Sequence, residues 1–151
     1  MPTFIALFFV AAVAVASALD LQRQTAQAEA VVADAAATSF LAYREAVIDY
    51  LNANPGFSGT VPDAALSFGW GYVRDPRWTN VVQGGSALYV YQRAPNAART
   101  DLVLDQLYRK TASSFMVGRK AGGVLVSANG FATGVAVPAA VPNGAIVVVG
   151  K

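Results

Sequence analysis

Cysteine and histidine are both absent from the 151 residues. No disulfide framework can form, and there is no thiolate nucleophile, Cys/His zinc site or imidazole base. Charge is scarce as well: 13% of residues are charged, 11 basic against 9 acidic, for a net +2. The pI near 9.1 thus reflects few charges rather than a basic surface, and nucleic acid is not an expected partner. Neither proline nor glycine occurs between Thr3 and Asn54. Apolar residues are plentiful: 55% of the chain is hydrophobic, with a mean hydropathy of +0.43. That is too apolar for a disordered tail, and the length suits one compact domain with an appended segment.

The apolar excess is concentrated at the start. Residues 1–19 carry no charged side chain; Asp20 is the first charge and Arg23 the first basic residue. This stretch reaches the lower limit of ~17 residues that a helix needs to span hydrocarbon. Phe4, Ile5, Leu7, Phe8, Phe9 and Val10 would anchor it in lipid, and alanine dominates the rest of the run. An uncleaved anchor is favoured over a cleaved signal peptide, since no Lys or Arg precedes the apolar run. Ala14-Val15-Ala16 and Ala16-Ser17-Ala18 nevertheless offer small-x-small cleavage patterns. A buried soluble helix is the least favoured reading, because ~130 further residues could hardly cover it on every side. Ala12 and Ala16, four apart, could let a second helix approach closely in a bilayer, although the abundance of alanine is the simpler reading. The expected arrangement is a single N-terminal span with the body exported.

From residue 21 to 52 the chain is alanine-rich with spaced charges, which predicts that the helix continues. Val31, Val32, Ala35, Phe40, Tyr43, Val47 and Leu51 form its expected apolar stripe, and Glu29, Asp34, Arg44 and Glu45 its polar face. Asn54-Pro55-Gly56 ends it. Residues 57–85 read as an aromatic-rich connection wrapped on the body. Strands are expected at 86–91, 115–118, 124–127, 131–137 and 145–149, and a second helix at 97–112. Asn129-Gly130 is a hairpin turn. Along 131–137, Ala132, Gly134 and Ala136 leave one smooth face, for which the first helix is the expected neighbour. The fold class is α+β: a long N-terminal helix, membrane-spanning at its start, on a small antiparallel sheet with a second helix inserted. Its divisions are 1–20 (anchor), 21–54 (amphipathic helix) and 55–151 (body).

Few residues suggest chemistry. Gly118-Arg119-Lys120-Ala121-Gly122-Gly123 lacks the Gly-Lys-Ser/Thr ending of a phosphate loop and reads as a turn between strands. Asp101 and Asp105 lie four apart on one helix face and could act as an acid pair. Arg109, four residues on, makes a surface ion-pair ladder the simpler reading. No catalytic, metal-binding or cofactor-binding residue is assigned, and the chain is not expected to be an enzyme. The segment from Phe68 to Trp78 interleaves aromatic rings with arginines. Trp70, Tyr72, Arg74, Arg77 and Trp78 could dock a partner protein, although a loop stapled to the core by its rings is the simpler reading.

One resemblance spans most of the chain. A short apolar helix leads into an alanine-rich one, then Asn-Pro-Gly-Phe-Ser-Gly-Thr-Val-Pro-Asp at 54–63. Next in order are Trp70 and Trp78, then Gly84-Gly85 before Tyr89-Val90-Tyr91, and Val-Pro-Asn-Gly-Ala at 141–145. This order resembles the PilM family of the thin type IV pili encoded by conjugative plasmids. It is distinct from the large actin-like ATPases of the same name, for which this chain is far too short. The resemblance implies a small envelope protein needed for pilus assembly, and so for mating in liquid. Other pilus-assembly proteins, the inner membrane and a second copy of itself are the implied partners, with no catalytic residue. The build also looks like a pilin, which leaves a minor pilin-like or pseudopilin-like subunit as an alternative. Asp20, the first acidic residue, lies too far along for the prepilin cleavage pattern. A small exported envelope hydrolase using acids such as Asp101 and Asp105 is a further alternative.

Overall fold

The computed structural model describes residues 2–69, 71–95 and 100–150, and within 2–18 the side chain of Ser17 alone. Helix α1 runs over Pro2–Ala53, as its alanine content and lack of breakers require. The chain divides into two compact units, Met1–Val32 and Ala33–Lys151. In the first, Leu19, Leu21, Val31 and Val32 are exposed.

The second unit holds the end of α1, a 3-10 turn at Asp63–Ala65, a second helix and six strands. These are β1 (Trp78–Gln83), β2 (Ala87–Gln92), α2 (Thr100–Lys110), β3 (Val117–Ala121), β4 (Val124–Ser127), β5 (Ala132–Ala136) and β6 (Ile146–Val149). They form one sheet in the order β1-β2-β6-β3-β4-β5, antiparallel at every pairing. The fold is therefore α+β, as expected. Residues 57–85 are not wholly irregular, however: β1 lies within them. Its polar centre, Asn80, hides the strand from a periodicity reading, and that residue is buried because it pairs with Val61.

Alternation along the strands divides the core between two faces. Trp78, Val82, Leu88, Val90, Val117, Ile146 and Val148 meet both helices on one face. Tyr89, Tyr91, Leu125 and Val147 meet Val137, Val141 and Ala145 on the other. The stripe that α1 buries is Ala33, Ala36, Ala37, Phe40, Tyr43, Ala46, Val47 and Leu51. Val31, Val32 and Ala35 are exposed instead. Side-chain size misleads here, because small alanines are what let a helix backbone come close to a sheet. Arg44 departs from the polar face as well; it is half-buried and donates from Nη2 to the Gly150 carbonyl at 3.0 Å.

The smooth face of β5 has a different neighbour from the expected one. Ala132, Gly134 and Ala136 are exposed, because β5 is the far edge of the sheet and α1 packs on the strands nearer β1. Register between β4 and β5 shifts at Val124/Val126, and Gly134 takes φ 74° opposite that irregularity. The other edge is covered: Gly59 and Val82 exchange backbone hydrogen bonds of 2.9 and 2.8 Å.

The glycine-rich segment 118–123, expected as a turn between strands, is mostly strand: β3 runs on to Ala121 and only Gly122 and Gly123 turn. Gly122 and Gly123, at φ 57° and 83°, form the β3–β4 hairpin turn. Gly118 serves a different need. A Cβ there would fall 1.9 Å from the Val126 carbonyl oxygen, so two backbones occupy the space of a side chain. Lys120 is buried at 7% exposure. Its Nζ donates to the carbonyls of Pro138 (2.9 Å) and Val141 (2.7 Å), fastening residues 138–141 over the second face.

Two substitutions test this arrangement. Gly118→Ala should lower stability by about 2 kcal/mol or more, since a backbone carbonyl cannot yield to a methyl group as a side chain can. The midpoint of urea unfolding measures it. Lys120→Met should cost about 3 kcal/mol by leaving two buried carbonyls without a charged donor. Hydrogen exchange at the Val141 amide should accelerate more than exchange at β2.

Candidate functional site

The segment following the 3-10 turn is built around three aromatic rings. Phe68 stacks on Tyr72 at 4.3 Å between centroids and lies 6.3 Å from Tyr43 of α1. Trp78 meets Phe40 edge-on at 5.0 Å and has no exposed surface. Its indole N–H donates to Ser39 Oγ at 3.3 Å. Rings of this size bury enough apolar area to hold an irregular segment in place.

Polar groups fix the same segment from beneath. Asn80 is fully buried and acts as a substitute strand for Val61. Its Oδ1 accepts from the Val61 N–H at 2.9 Å, while Nδ2 donates to the Val61 carbonyl at 3.1 Å and to the Tyr43 hydroxyl at 2.8 Å. Burial pushes the Tyr43 phenol up, as does the Asp63 carboxylate; the bond from Asn80 pulls it back only in part. Three separate parts of the chain are thereby tied at one point, with the amide's hydrogen-bonding groups satisfied.

Both arginines of the segment are engaged within the fold. Arg74 lies over the Tyr43 ring at 4.7 Å, pairs with Asp63 at 2.6 Å and donates to the carbonyls of Trp78 and Asp75. Arg77 pairs with Asp75 at 2.6 Å and lies 5.0 Å over Trp78. Burial pushes the Asp75 carboxyl up, but the side-chain and backbone donors of Arg77, with the charges of Arg77 and Arg74, outweigh it. The carboxyl therefore sits below its usual 3.8. Asp75 in turn raises Arg77 against the opposing effect of burial. Of the five residues considered for docking, Trp78 is enclosed, Tyr72 is half-buried, Arg74 and Arg77 are ion-paired, and Trp70 lies outside the described residues.

The other residues singled out in the sequence lie apart from this segment. The side chains of Phe4, Ile5, Leu7, Phe8, Phe9, Val10, Ala12 and Ala16 lie outside the described ones. Among the described residues no helix is long and apolar enough to cross a membrane, and no cluster of acidic residues could hold a metal ion. Asp105 pairs with Arg109 at 3.0 Å, as the spacing suggested. Asp101 does not join that ladder and reaches Arg119 of β3.

Sequence reasoning missed one surface feature. Phe115 and Phe131, read as strand residues, are 74% and 73% exposed. With Met116, Ser127, Thr133 and Val135 they line an apolar hollow of about 360 Å³. The available signal was positional: Phe131 directly follows the Asn129-Gly130 turn, and Phe115 comes only a few residues after the end of α2.

The Asp75 pair gives a pH-dependent expectation. A carboxyl held below its unfolded value stabilises the fold above that value, and the contribution is lost as pH falls through the folded one. Asp75→Asn should therefore cost about 1 kcal/mol near neutral pH, the scale of a solvent-screened pair. The difference from the parent protein should shrink steadily below the ordinary carboxyl value of 3.8. Urea titrations across the acid range measure it.

Comparison with known proteins agrees with this outline. A family model described as PilM matches residues 5–149. Among curated proteins none matches the chain. A solved structure bearing the name PilM, from Escherichia coli B7A, is 20% identical. It aligns over 79% of this chain and 91% of its own, with a TM-score of 0.55, and so shares the fold. Another, from Pseudomonas aeruginosa 2192, is 31% identical over 79% of this chain and 95% of its own, with a TM-score of 0.43. Since the family model takes in both helices and all six strands, the chain belongs to the PilM family.

Proposed function

We propose that this chain is a non-enzymatic accessory protein of type IV pilus assembly, working in plasmid conjugation. It would be anchored in the bacterial inner membrane by residues 1–20, with its body in the periplasm and other pilus-assembly proteins as partners. The observation that carries the reading is membership of the PilM family across residues 5–149. The uncharged start to Asp20 supports the anchor, since a charged side chain in hydrocarbon is costly and none occurs there. The engagement of Asp101 and Asp105 by separate arginines fits a body without paired acids for hydrolysis. A second reading, a minor pilin-like filament subunit, is favoured by the way residues 33–53 of one long helix pack on an antiparallel sheet.

Deleting the gene from a conjugative plasmid should abolish mating in liquid. The full chain should restore it, and so should the Asp101→Asn, Asp105→Asn double variant. A chain lacking residues 1–20 behind a cleavable export signal should not. Carbonate-washed membranes should retain the intact protein. Release by carbonate would remove the anchor from the proposal, and recovery of the chain within sheared pili would favour the filament subunit.

A further inference from the structure

Arg44 is a half-buried charge of the second unit that makes no ion pair among the described residues. It projects from the part of α1 that packs on the sheet, and its Nη2 donates to the Gly150 carbonyl at 3.0 Å. Its Nε is buried with no hydrogen-bond partner among the described residues. Burial lowers the guanidinium from its ordinary value, and the opposing attraction of Glu45 does not restore it. A half-buried guanidinium whose charge is met by one carbonyl is an expensive arrangement unless an anion reaches its outer nitrogens.

The space beside it has the means to do so. Arg44 borders a hollow of about 460 Å³ that Thr111, Ser114, Met116, Val117 and Val148 also line. That volume lies in the range of small-molecule sites. Thr111 already donates its hydroxyl proton to the Leu107 carbonyl at 2.8 Å. Ser114 Oγ instead accepts from the Met116 N–H at 3.2 Å, which leaves its proton free for a ligand. Ala112 and Ser113, just before it, both take left-handed backbone angles, φ 53° and 61°. These angles close the end of α2, where the Ser113 N–H donates to the Tyr108 carbonyl at 2.9 Å.

We infer that this hollow binds a carboxylate carried on a short apolar group. The guanidinium would receive the carboxylate oxygens, its fork geometry matching theirs. Ser114 adds a hydroxyl donor, and the apolar tail lies against Met116, Val117 and Val148. The apolar wall disfavours inorganic phosphate, which would expose its remaining charge to it.

The test is a titration of the full chain with butyrate, followed by amide resonances in NMR. Saturable shifts at Ser114, Met116, Val149 and Gly150 are expected, with a dissociation constant on the order of 1 mM. Butyramide and inorganic phosphate should leave these resonances in place. Arg44→Met should weaken butyrate at least ~10-fold, the loss of a charge-assisted pair. Ser114→Ala, which removes one hydroxyl and keeps the proposal testable if the arginine variant fails to fold, should weaken it ~3-fold or more. Acetyl-alanyl-valine separates the two sources of such a group. Tighter binding than butyrate assigns the ligand to a protein C-terminus, and weaker binding to a free acid. Equal shifts with butyramide, no saturable shift with butyrate, or undiminished binding by folded Arg44→Met would each overturn the inference.

Discussion

The fold depends on β6. Among the described residues it is the only strand joining the β1–β2 hairpin to the β3–β4–β5 meander. Tyr89, Val90 and Tyr91 face Val149, Val148 and Val147 on one side, while Val117, Gly118 and Arg119 face Val148, Val147 and Ile146 on the other. Its side chains serve both cores, with Ile146 and Val148 towards the helices and Val147 towards the opposite face. Without these few residues the sheet would be two separate pieces, each with one more exposed edge. The pairings are also distant in sequence, so the ordering entropy of the intervening chain must be met before the central contacts form.

Around that strand, irregular segments are held by side chains that stand in for regular structure. Asn80 pairs with Val61 as a neighbouring strand would, and Lys120 gathers two carbonyls of the 138–141 segment as a cap would. Each is a buried polar group with its hydrogen bonds made inside the fold. The aromatic–arginine segment is held in the same way. Arg74 and Arg77 hold their own carboxylates and lie over their own rings, so the segment is oriented from within. Arg44 and Arg74 each keep a buried Nε without a partner among the described residues, and the left-handed Ala112–Ser113 pair lies in the segment that borders the Arg44 hollow.

Much of this architecture was legible in the sequence. Helix α1 came from fifty-odd residues without a breaker, and its end from Asn54-Pro55-Gly56. The strand at 124–127 and the two hairpin turns were given by β-branched runs and paired turn residues. The features that escaped were decided by partners remote in the chain. Asn80 is polar, and its side chain is buried because Val61 and Tyr43 meet it. Ala33, Ala36 and Ala37 look ordinary until a sheet lies against them. Arg44 reads as part of a polar face and Lys120 as part of a turn, yet carbonyls far along the chain draw both inward. The identity of the edge strand is likewise topological, which is why the small residues of β5 were assigned a neighbour that they do not have.

The irregular β5 edge bears on how these proteins behave when crowded. A straight, unpaired strand offers its amides to any similar strand nearby, and stacking of that kind grows into fibrils. The left-handed Gly134 and the shifted register beside it bend the β5 ribbon, so a second molecule finds no continuous row of donors and acceptors to extend. At the opposite border Gly59 already occupies the place that an intruder would take. The sheet is thus finished on both sides, and many copies could be gathered in a small compartment without coalescing.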